Sequence, residues 1–361
     1  KKQLLNTKSN AGKTRQLCTC IFSDTKKIIA ATAMILFLCI SQSFAATITS
    51  AGNTGNWNAT TTWAGGVVPT SADDVIIASG SVITVTANAT CKSINISASS
   101  AAAVTGTISV NSGITLTVTS SISLTDGKNS VELTLSGAGA VTCTSASIGI
   151  AGTLPTGSAV TSMILHAAIT TFTVNGNLAL NGNATSGSTK LNNPQLDLQS
   201  GTTTVTGTIS TTTNGATSGS GPTCSVITTG GAQTGTLIIG GSTPWSLASG
   251  LITNTTTLNG TSAAVNYNGT AQTVLATTYT NLTLSGSGAK TLTGSTINGA
   301  LSMQGTATAS GSSPTYGSAA TLEYAGSSAQ TTSTIEFPAT WTGTGGIKIN
   351  NASGVTLNAA K

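Results

Sequence analysis

From Ala46 onward, threonine or serine alternates with valine, isoleucine or leucine in one short run after another. Successive side chains of a β-strand point to opposite faces, so this period of two places aliphatic residues on one face and hydroxyls on the other. Typical runs are SVITVT (81–86), KSINIS (92–97), GITLTV (113–118) and GTLIIG (235–240). Beyond the first 45 residues, no stretch has the periodicity of an amphipathic helix. The chain is therefore predicted to be all-β, which argues against βαβ architectures.

The composition of the predicted core favours one all-β architecture over another. Only ten aromatic residues follow Ala45, and β-sandwich domains usually bury aromatic side chains between their two sheets. A core of small aliphatic residues suits a solenoid, in which each coil stacks its side chains on the coil below. We therefore expect a right-handed parallel β-helix (β-solenoid), and tandem β-sandwich modules are the alternative fold.

Internal repeats support a stacked architecture. VTGTIS occurs at both 104–109 and 205–210, and LTLSGAGAVTCT (133–144) is similar to LTLSGSGAKTLT (282–293). Near the end, VNYNGTAQTV (265–274) and LEYAGSSAQTT (322–332) begin two related modules. The second module stops where the first continues, so we expect the natural chain to extend past Lys361, into downstream domains.

The first 45 residues read as a leader. Seven of the 13 basic residues precede residue 28, whereas the rest of the chain has six basic and seven acidic residues. Lys26 and Lys27 precede the apolar run 28–40, and Ser43-Phe44-Ala45 offers a cleavage site, which is typical of a secretory signal peptide. The apolar run is short for a bilayer span, so no stable membrane span is expected after signal removal. The rest of the chain lacks the excess of basic residues that is typical of nucleic-acid-binding proteins.

These features predict three regions: a leader with a signal peptide (1–45), a β-solenoid (46–258) with an N-terminal cap segment (52–80), and two related β-repeat modules (259–361), the second truncated. The segment 55–97, GNWNATTTWAGGVVPTSADDVIIASGSVITVTANATCKSINIS, resembles the G8-like start of the exported β-helical repeat proteins of Bacteroidota-type bacteria. The modules LTLSGSGAKTLTG and INNASGVTLNAAK are similar to repeats of the same proteins. This resemblance implies secretion or surface display in an adhesin-like or structural role, without catalytic residues.

Outside the leader, few residues have side chains of the types that catalysis, metal binding or ligand stacking normally uses. Asp73 and Asp74 form the only adjacent carboxylate pair and are weak calcium candidates, although a turn before the strand VII (75–77) is the favoured role. Trp57 and Trp63 are weak candidates for stacking on a glycan, and covering the open end of the first coil is the favoured role.

His166 is the only histidine, and it lies in the apolar stretch MILHAAI (163–169), where a structural role is expected. Cys91, Cys143 and Cys224 are widely spaced and are expected to be small buried residues, so neither a disulfide framework nor a zinc site is predicted. GSGAKT (286–291) joins strand-like segments and lacks the helix of a phosphate-binding loop. No cofactor is predicted.

The resulting functional expectation is an exported, non-catalytic structural or adhesin-like protein, secreted or at the cell surface, which binds glycans or the cell-surface matrix weakly. One alternative is a polysaccharide-active β-helix enzyme, which would need two carboxylates about 5–10 Å apart across a sugar. The other is an ice-binding solenoid, in which Thr-x-Thr rows such as TLTVT (115–119) would form a flat outward ladder.

Overall fold

The computed structural model describes residues 45–96, 102–125, 129–150, 161–184, 191–214, 224–227, 234–247 and 263–359. The predicted leader and signal peptide lie outside these ranges, apart from Ala45. The described residues form β-strands and one short 3-10 helix at Thr60–Thr62, so the all-β prediction is confirmed. Within them, no helix combines the length and the apolarity needed to cross a bilayer.

The strands of the first two thirds of the chain are β1 (Thr47–Thr49), β2 (Thr54–Asn56), β3 (Asp74–Ile76), β4 (Val82–Val85), β5 (Ala89–Cys91), β6 (Ser93–Ile96), β7 (Val104–Val110), β8 (Thr115–Leu124), β9 (Val131–Gly149), β10 (Thr161–Val174), β11 (Leu178–Ala184), β12 (Leu191–Asp197), β13 (Thr202–Val205), β14 (Ile209–Asn214), β15 (Ser225–Ile227), β16 (Thr236–Ile239) and β17 (Trp245–Ser246). The remaining strands are β18 (Ala264–Tyr267), β19 (Gln272–Thr273), β20 (Thr278–Tyr279), β21 (Asn281–Leu284), β22 (Ser287–Thr291), β23 (Thr296–Ile297), β24 (Ala300–Met303), β25 (Thr306–Ser310), β26 (Thr315–Tyr316), β27 (Thr321–Tyr324), β28 (Gln330–Thr331), β29 (Gly346–Ile349) and β30 (Val355–Thr356).

Most of these strands pair in parallel with a strand that comes later in the sequence. The segment of chain from one strand to its partner is called a coil below. Ala89 of β5 lies opposite Leu116 of β8, which lies opposite Val141 of β9. The same pattern continues through β10, β13, β16, β18, β21, β24 and β27 to β29. Eleven strands therefore form one parallel ladder, which at about 4.8 Å between neighbouring strands extends for about 48 Å.

This ladder carries two inward-facing columns of side chains, because its register is preserved from strand to strand. The first column is Ala89, Leu116, Val141, Phe172, Thr203, Leu237, Val265, Leu282, Leu301, Leu322 and Ile347. The second is Cys91, Val118, Cys143, Val174, Val205, Ile239, Tyr267, Leu284, Met303, Tyr324 and Ile349. All but the final residue of each column are buried. Stacked aliphatic side chains thus form the core that stabilises the ladder.

Further parallel ladders line the other sides of the coils. One joins β2, β4, β7 and β9, and another joins β1, β3, β6, β8, β9, β11, β14 and β17. Between named strands of the described chain, only β11 and β12 pair antiparallel, at Asn183–Asn192 and Ala184–Leu191. β-Sandwiches are built from antiparallel sheets, so this pairing pattern does not support the alternative of tandem sandwich modules.

The two C-terminal modules continue the same ladder with shorter coils. Ala264 pairs with Asn281, 17 residues later (281 − 264), and Leu282 pairs with Leu301, 19 residues later (301 − 282). Two small three-stranded parallel sheets, β19–β22–β25 and β20–β23–β26, form the other sides of these coils, and β28 pairs with β30. The repeated tyrosines, Tyr267 and Tyr324, both lie in the second inward column and are buried.

Candidate functional site

The Asp73 carboxylate joins the backbone at Ala46 to the turn that begins at Thr70. Its Oδ1 accepts a hydrogen bond from the Ala46 N–H at 2.9 Å, and its Oδ2 accepts from the Thr70 N–H at 2.8 Å and the Thr70 hydroxyl at 2.7 Å. Burial opposes ionisation of this carboxyl, but the three hydrogen bonds outweigh burial and lower its pKa below the usual value. Asp73 is therefore held ionised by the turn that it closes.

Asp74 points to the other side of the strand and is satisfied there. It accepts hydrogen bonds from the Ser93 hydroxyl at 2.5 Å and the Lys92 ammonium at 2.9 Å, both in the next coil. The hydrogen bond from Ser93 and then that from Lys92 lower the pKa of Asp74. Among the described residues, no group of three or more His, Cys, Asp or Glu is arranged to hold a metal ion. Because protein donors occupy both carboxylates, the geometry does not support the calcium interpretation of Asp73 and Asp74.

Trp57 and Trp63 form a buried pair. Their ring centroids are 5.0 Å apart in an edge-to-face arrangement, and the indole N–H of Trp63 donates to the Trp57 carbonyl at 2.7 Å. They are only 1% and 2% exposed. Neither ring has an open face, so the weak prediction that they stack on a glycan does not fit this geometry. Their burial beside the first strands is what a cap of the core requires.

The only histidine has a carboxylate partner that the sequence did not reveal. His166 of β10 lies opposite Asp197 of β12, and its Nδ1 is 2.8 Å from Asp197 Oδ2. Asp197 is fully buried, whereas the histidine side chain is 22% exposed. The Gln199 side chain donates to the same carboxylate oxygen, and Gln199 is the only described non-glycine residue with a positive φ, at 48°. The pair thus lies on a polar corner between two coils.

The three described cysteines are inert parts of the core. Cys91, Cys143 and Cys224 are buried and form no disulfide. Burial raises the pKa of Cys91 and Cys143 to about 12 and that of Cys224 to about 11. Because the thiolate is the reactive form, these thiols are protected as nucleophiles and as metal ligands. The expectation that they are small buried residues is confirmed.

Buried polar side chains hold the corners of the C-terminal coils together. The Gln272 amide donates to the carbonyls of Ile239 at 2.9 Å and Gly241 at 2.8 Å in the preceding coil. Its Oε1 accepts from the Gly269 N–H at 3.0 Å and from Lys290 Nζ at 2.8 Å in the following coil. One side chain thus links three successive coils and satisfies backbone groups that the corner leaves unpaired.

Lys290 is fully buried and has no carboxylate among its hydrogen-bond partners. Its ammonium donates to the carbonyls of Gly269 at 2.6 Å and Thr270 at 2.5 Å, in addition to Gln272. Burial lowers its pKa to about 8. Three acceptors match the three N–H groups of an ammonium, so the lysine acts as a structural clamp and not as a phosphate ligand.

The second module repeats this corner with a different donor. The Gln330 amide donates to the Met303 carbonyl at 3.0 Å, and its Oε1 accepts from the Gly326 N–H at 3.1 Å. Here Asn351 takes the place of the lysine, because its Nδ2 donates to the Ser328 carbonyl at 2.7 Å and to Gln330 Oε1 at 2.8 Å. The glutamine is thus common to both modules, while its partner differs.

Two cavities interrupt the side of the coils that carries the β19–β22–β25 sheet. The first, about 250 Å³, lies between β25 and β28, and its walls include Thr306, Thr308, Tyr324 and Glu336. In the described chain β28 pairs with β30 and not with β25. Tyr324 is fully buried there and donates to Glu336 Oε1 at 3.0 Å, so it offers no open ring face.

The second cavity, about 360 Å³, lies at the other end of that sheet, where β17 and β19 belong to successive coils but do not pair. It is lined by Ser242, Thr243, Pro244, Trp245, Thr273, Val274, Leu275, Ala276 and Thr293. Trp245 is partly exposed, and its indole N–H donates to the buried Tyr267 hydroxyl at 2.8 Å. This is the candidate binding site of the described chain, and none of its residues is among the site candidates predicted from the sequence.

The comparisons add no relative to this picture: no protein-family model, curated protein or solved structure matches the chain.

Proposed function

We propose that this chain is a parallel β-solenoid that serves as an exported, non-catalytic structural or adhesin-like element, secreted or displayed at the cell surface. The observation that carries the proposal is the eleven-strand parallel ladder with its two inward columns. A chain whose coils each contact only their neighbours forms a long, regular element, which suits a stalk or a scaffold.

The side chains of the ladder support a passive role. Inward positions are mainly aliphatic, whereas outward positions are mainly threonine, serine and asparagine, which interact with water and with neutral hydroxylated surfaces. Three buried polar residues, Asp73, Gln272 and Lys290, each make three or more hydrogen bonds that hold backbone groups at the turns. The leader-like residues 1–45 and the resemblance of 55–97 to exported repeat proteins support export.

The export part of the proposal is tested by expressing the full chain with its own leader in a Bacteroidota host. We expect intact cells to be labelled by an antibody against the chain, and externally added protease to remove the label. A matched variant, Leu36→Lys, places a charge in the apolar run 28–40 and is expected to keep the chain inside the cell. Equal amounts of wild type and variant in the cytoplasm would contradict export.

The adhesive part is tested separately by retention of these cells on surfaces coated with neutral polysaccharides. Cells that display the chain are expected to remain under flow longer than cells that carry the Leu36→Lys variant. Equal retention would leave a structural role and would contradict adhesion.

A further inference from the structure

The cavity beside Trp245 combines features that fit a carbohydrate. The described residues that line it supply one partly exposed indole, several hydroxyl groups and small apolar side chains, and none of them is charged. Ligand sites typically join an apolar surface with a few polar groups that fix orientation. A pyranose ring likewise combines apolar and polar surface, since its C–H face is apolar and its edge carries hydroxyls.

Trp245 is held in place as a platform. Its indole N–H donates to the Tyr267 hydroxyl, which also accepts from the Leu275 N–H at 3.0 Å and lies 3.0 Å from the Tyr279 hydroxyl. Tyr267 and Tyr279 are buried, so this network fixes the polar edge of the indole inside the coil. The rest of the ring is left to line the cavity. A fixed aromatic surface binds with little loss of conformational entropy.

The hydroxyls at the rim are available to a ligand. Those of Ser242, Thr243 and Thr273 make no hydrogen bond with other residues of the described ranges. Thr293 accepts from the Ser312 N–H at 3.2 Å and keeps its own hydroxyl hydrogen for another partner. Thr273 of β19 pairs in register with Thr291 of β22, and Thr293 lies two residues beyond that partner. The side chains of Thr273 and Thr293 are both exposed and line the cavity.

We propose that this cavity binds one hexopyranose unit of a neutral glycan, with Trp245 as the stacking platform and Thr273 and Thr293 as hydroxyl partners. At about 30 Å³ per water molecule, 360 Å³ corresponds to about 12 waters, which is room for a single sugar ring and its hydroxyls. None of the described lining residues carries a positive charge that could pair with the carboxylate of a uronic acid or with a sulfate group. The inference rests on the proposed surface role and names the ligand class for it.

The test is saturation-transfer NMR and titration of the full chain with the methyl glycosides of glucose, galactose and mannose, and with dextran as the polymer. Wild-type protein is expected to bind at least one of these neutral probes, with no binding of glucuronic acid. Trp245→Leu is expected to weaken binding at least tenfold, whereas Trp245→Phe keeps it within about threefold because a ring remains.

Two further variants change binding groups without disturbing the fold, so a loss of binding in them cannot be attributed to unfolding. Thr273→Val and Thr293→Val change exposed side chains, and each is expected to weaken binding about threefold or more while leaving the circular dichroism spectrum and melting temperature unchanged. Thr331→Val, at the other cavity, is the matched control and is expected to leave binding unchanged.

Failure to bind any neutral probe, binding unaffected by Trp245→Leu, or stronger binding of the acidic sugar would each overturn the inference. Cell-surface labelling of the chain, measured separately, decides the proposed export. A protein that is displayed but binds no sugar would therefore refute only the carbohydrate site.

Discussion

Thr203 interrupts the first inward column with a hydroxyl. It lies between Phe172 of β10 and Leu237 of β16, it is fully buried, and its Oγ1 has no hydrogen-bond partner. Burying a hydroxyl without a partner costs about 1–3 kcal/mol. Valine has nearly the same shape and replaces the hydroxyl by a methyl group that gains from burial.

Thr203→Val is therefore expected to raise the free energy of unfolding by about 1–2 kcal/mol, since part of the gain is offset by imperfect packing of the new methyl group. Urea denaturation followed by circular dichroism measures the change. Thr204→Val is the matched control, because Thr204 is the next residue of the same strand and is only partly buried on its outer face. It is expected to change stability by less than about 0.5 kcal/mol.

A loss of stability in Thr203→Val would mean that the hydroxyl has a partner inside the core. Equal gains in both variants would mean that β-propensity explains the effect. Either result would refute the argument that position 203 faces a dry aliphatic column.

Three further predictions concern the corners and the core. Burial lowers the pKa of Lys290 to about 8, so between pH 8 and 10 this side chain binds more protons in the unfolded chain, and its own contribution to stability rises with pH. The three buried thiols act in the opposite direction, because burial raises their pKa values. The stability of wild type relative to Lys290→Met, measured in pH-resolved urea melts, is therefore expected to rise with pH in this window, and a constant difference would contradict the prediction. Above pH 10 the stability of the wild type is expected to fall, because burial raises the pKa of all four tyrosines and they ionise first in the unfolded chain; greater stability at pH 11 than at pH 10 would contradict this. Cys91, Cys143 and Cys224 are expected to resist iodoacetamide at pH 8 until denaturant is added, as mapped by peptide mass spectrometry, and fast labelling of the native protein would show that the core is open.

The positions and faces of the strands were predictable from the sequence, because alternation directly reflects which side chains are buried. SVITVT, KSINIS and GTLIIG correspond to β4, β6 and β16, and the alternate residues Ile83, Val85, Ile94, Ile96, Leu237 and Ile239 are buried. Val82 and Ile238 are the exceptions, since these aliphatic residues lie on the outer face. The shortage of aromatic residues favoured stacked strands over facing antiparallel sheets, and nearly all the described strands do pair in parallel.

The sequence repeats were a weaker guide to structural equivalence. VTGTIS at 104–109 lies within the single strand β7, where Gly106 is packed against Ile77 and Ile96. The same letters at 205–210 cross a corner between β13 and β14, and a side chain at Gly207 would collide with Gly176 and Asn177. Glycine serves close packing in both places, but neighbouring coils decide whether the chain continues straight or turns.

The polar contacts were not predictable from local sequence. His166 meets Asp197 because the two strands pair with an offset of 31 residues (197 − 166), and that offset depends on the length of the intervening coil. Trp245 likewise lines a cavity at a place where β17 and β19 do not pair. Such contacts join residues in different coils, and short sequence motifs do not encode them.

The central claim is that one register-preserving ladder runs through the chain, and distances between spin labels test it most directly. Cysteines placed at the outward positions Thr117, Thr204, Thr283 and Lys348, in a background without the six native cysteines, would carry the labels. The ladder places these positions three, six and nine strands from Thr117. At about 4.8 Å per strand, the predicted distances from Thr117 are about 14, 29 and 43 Å. Distances that do not increase in equal steps along this series would contradict the account.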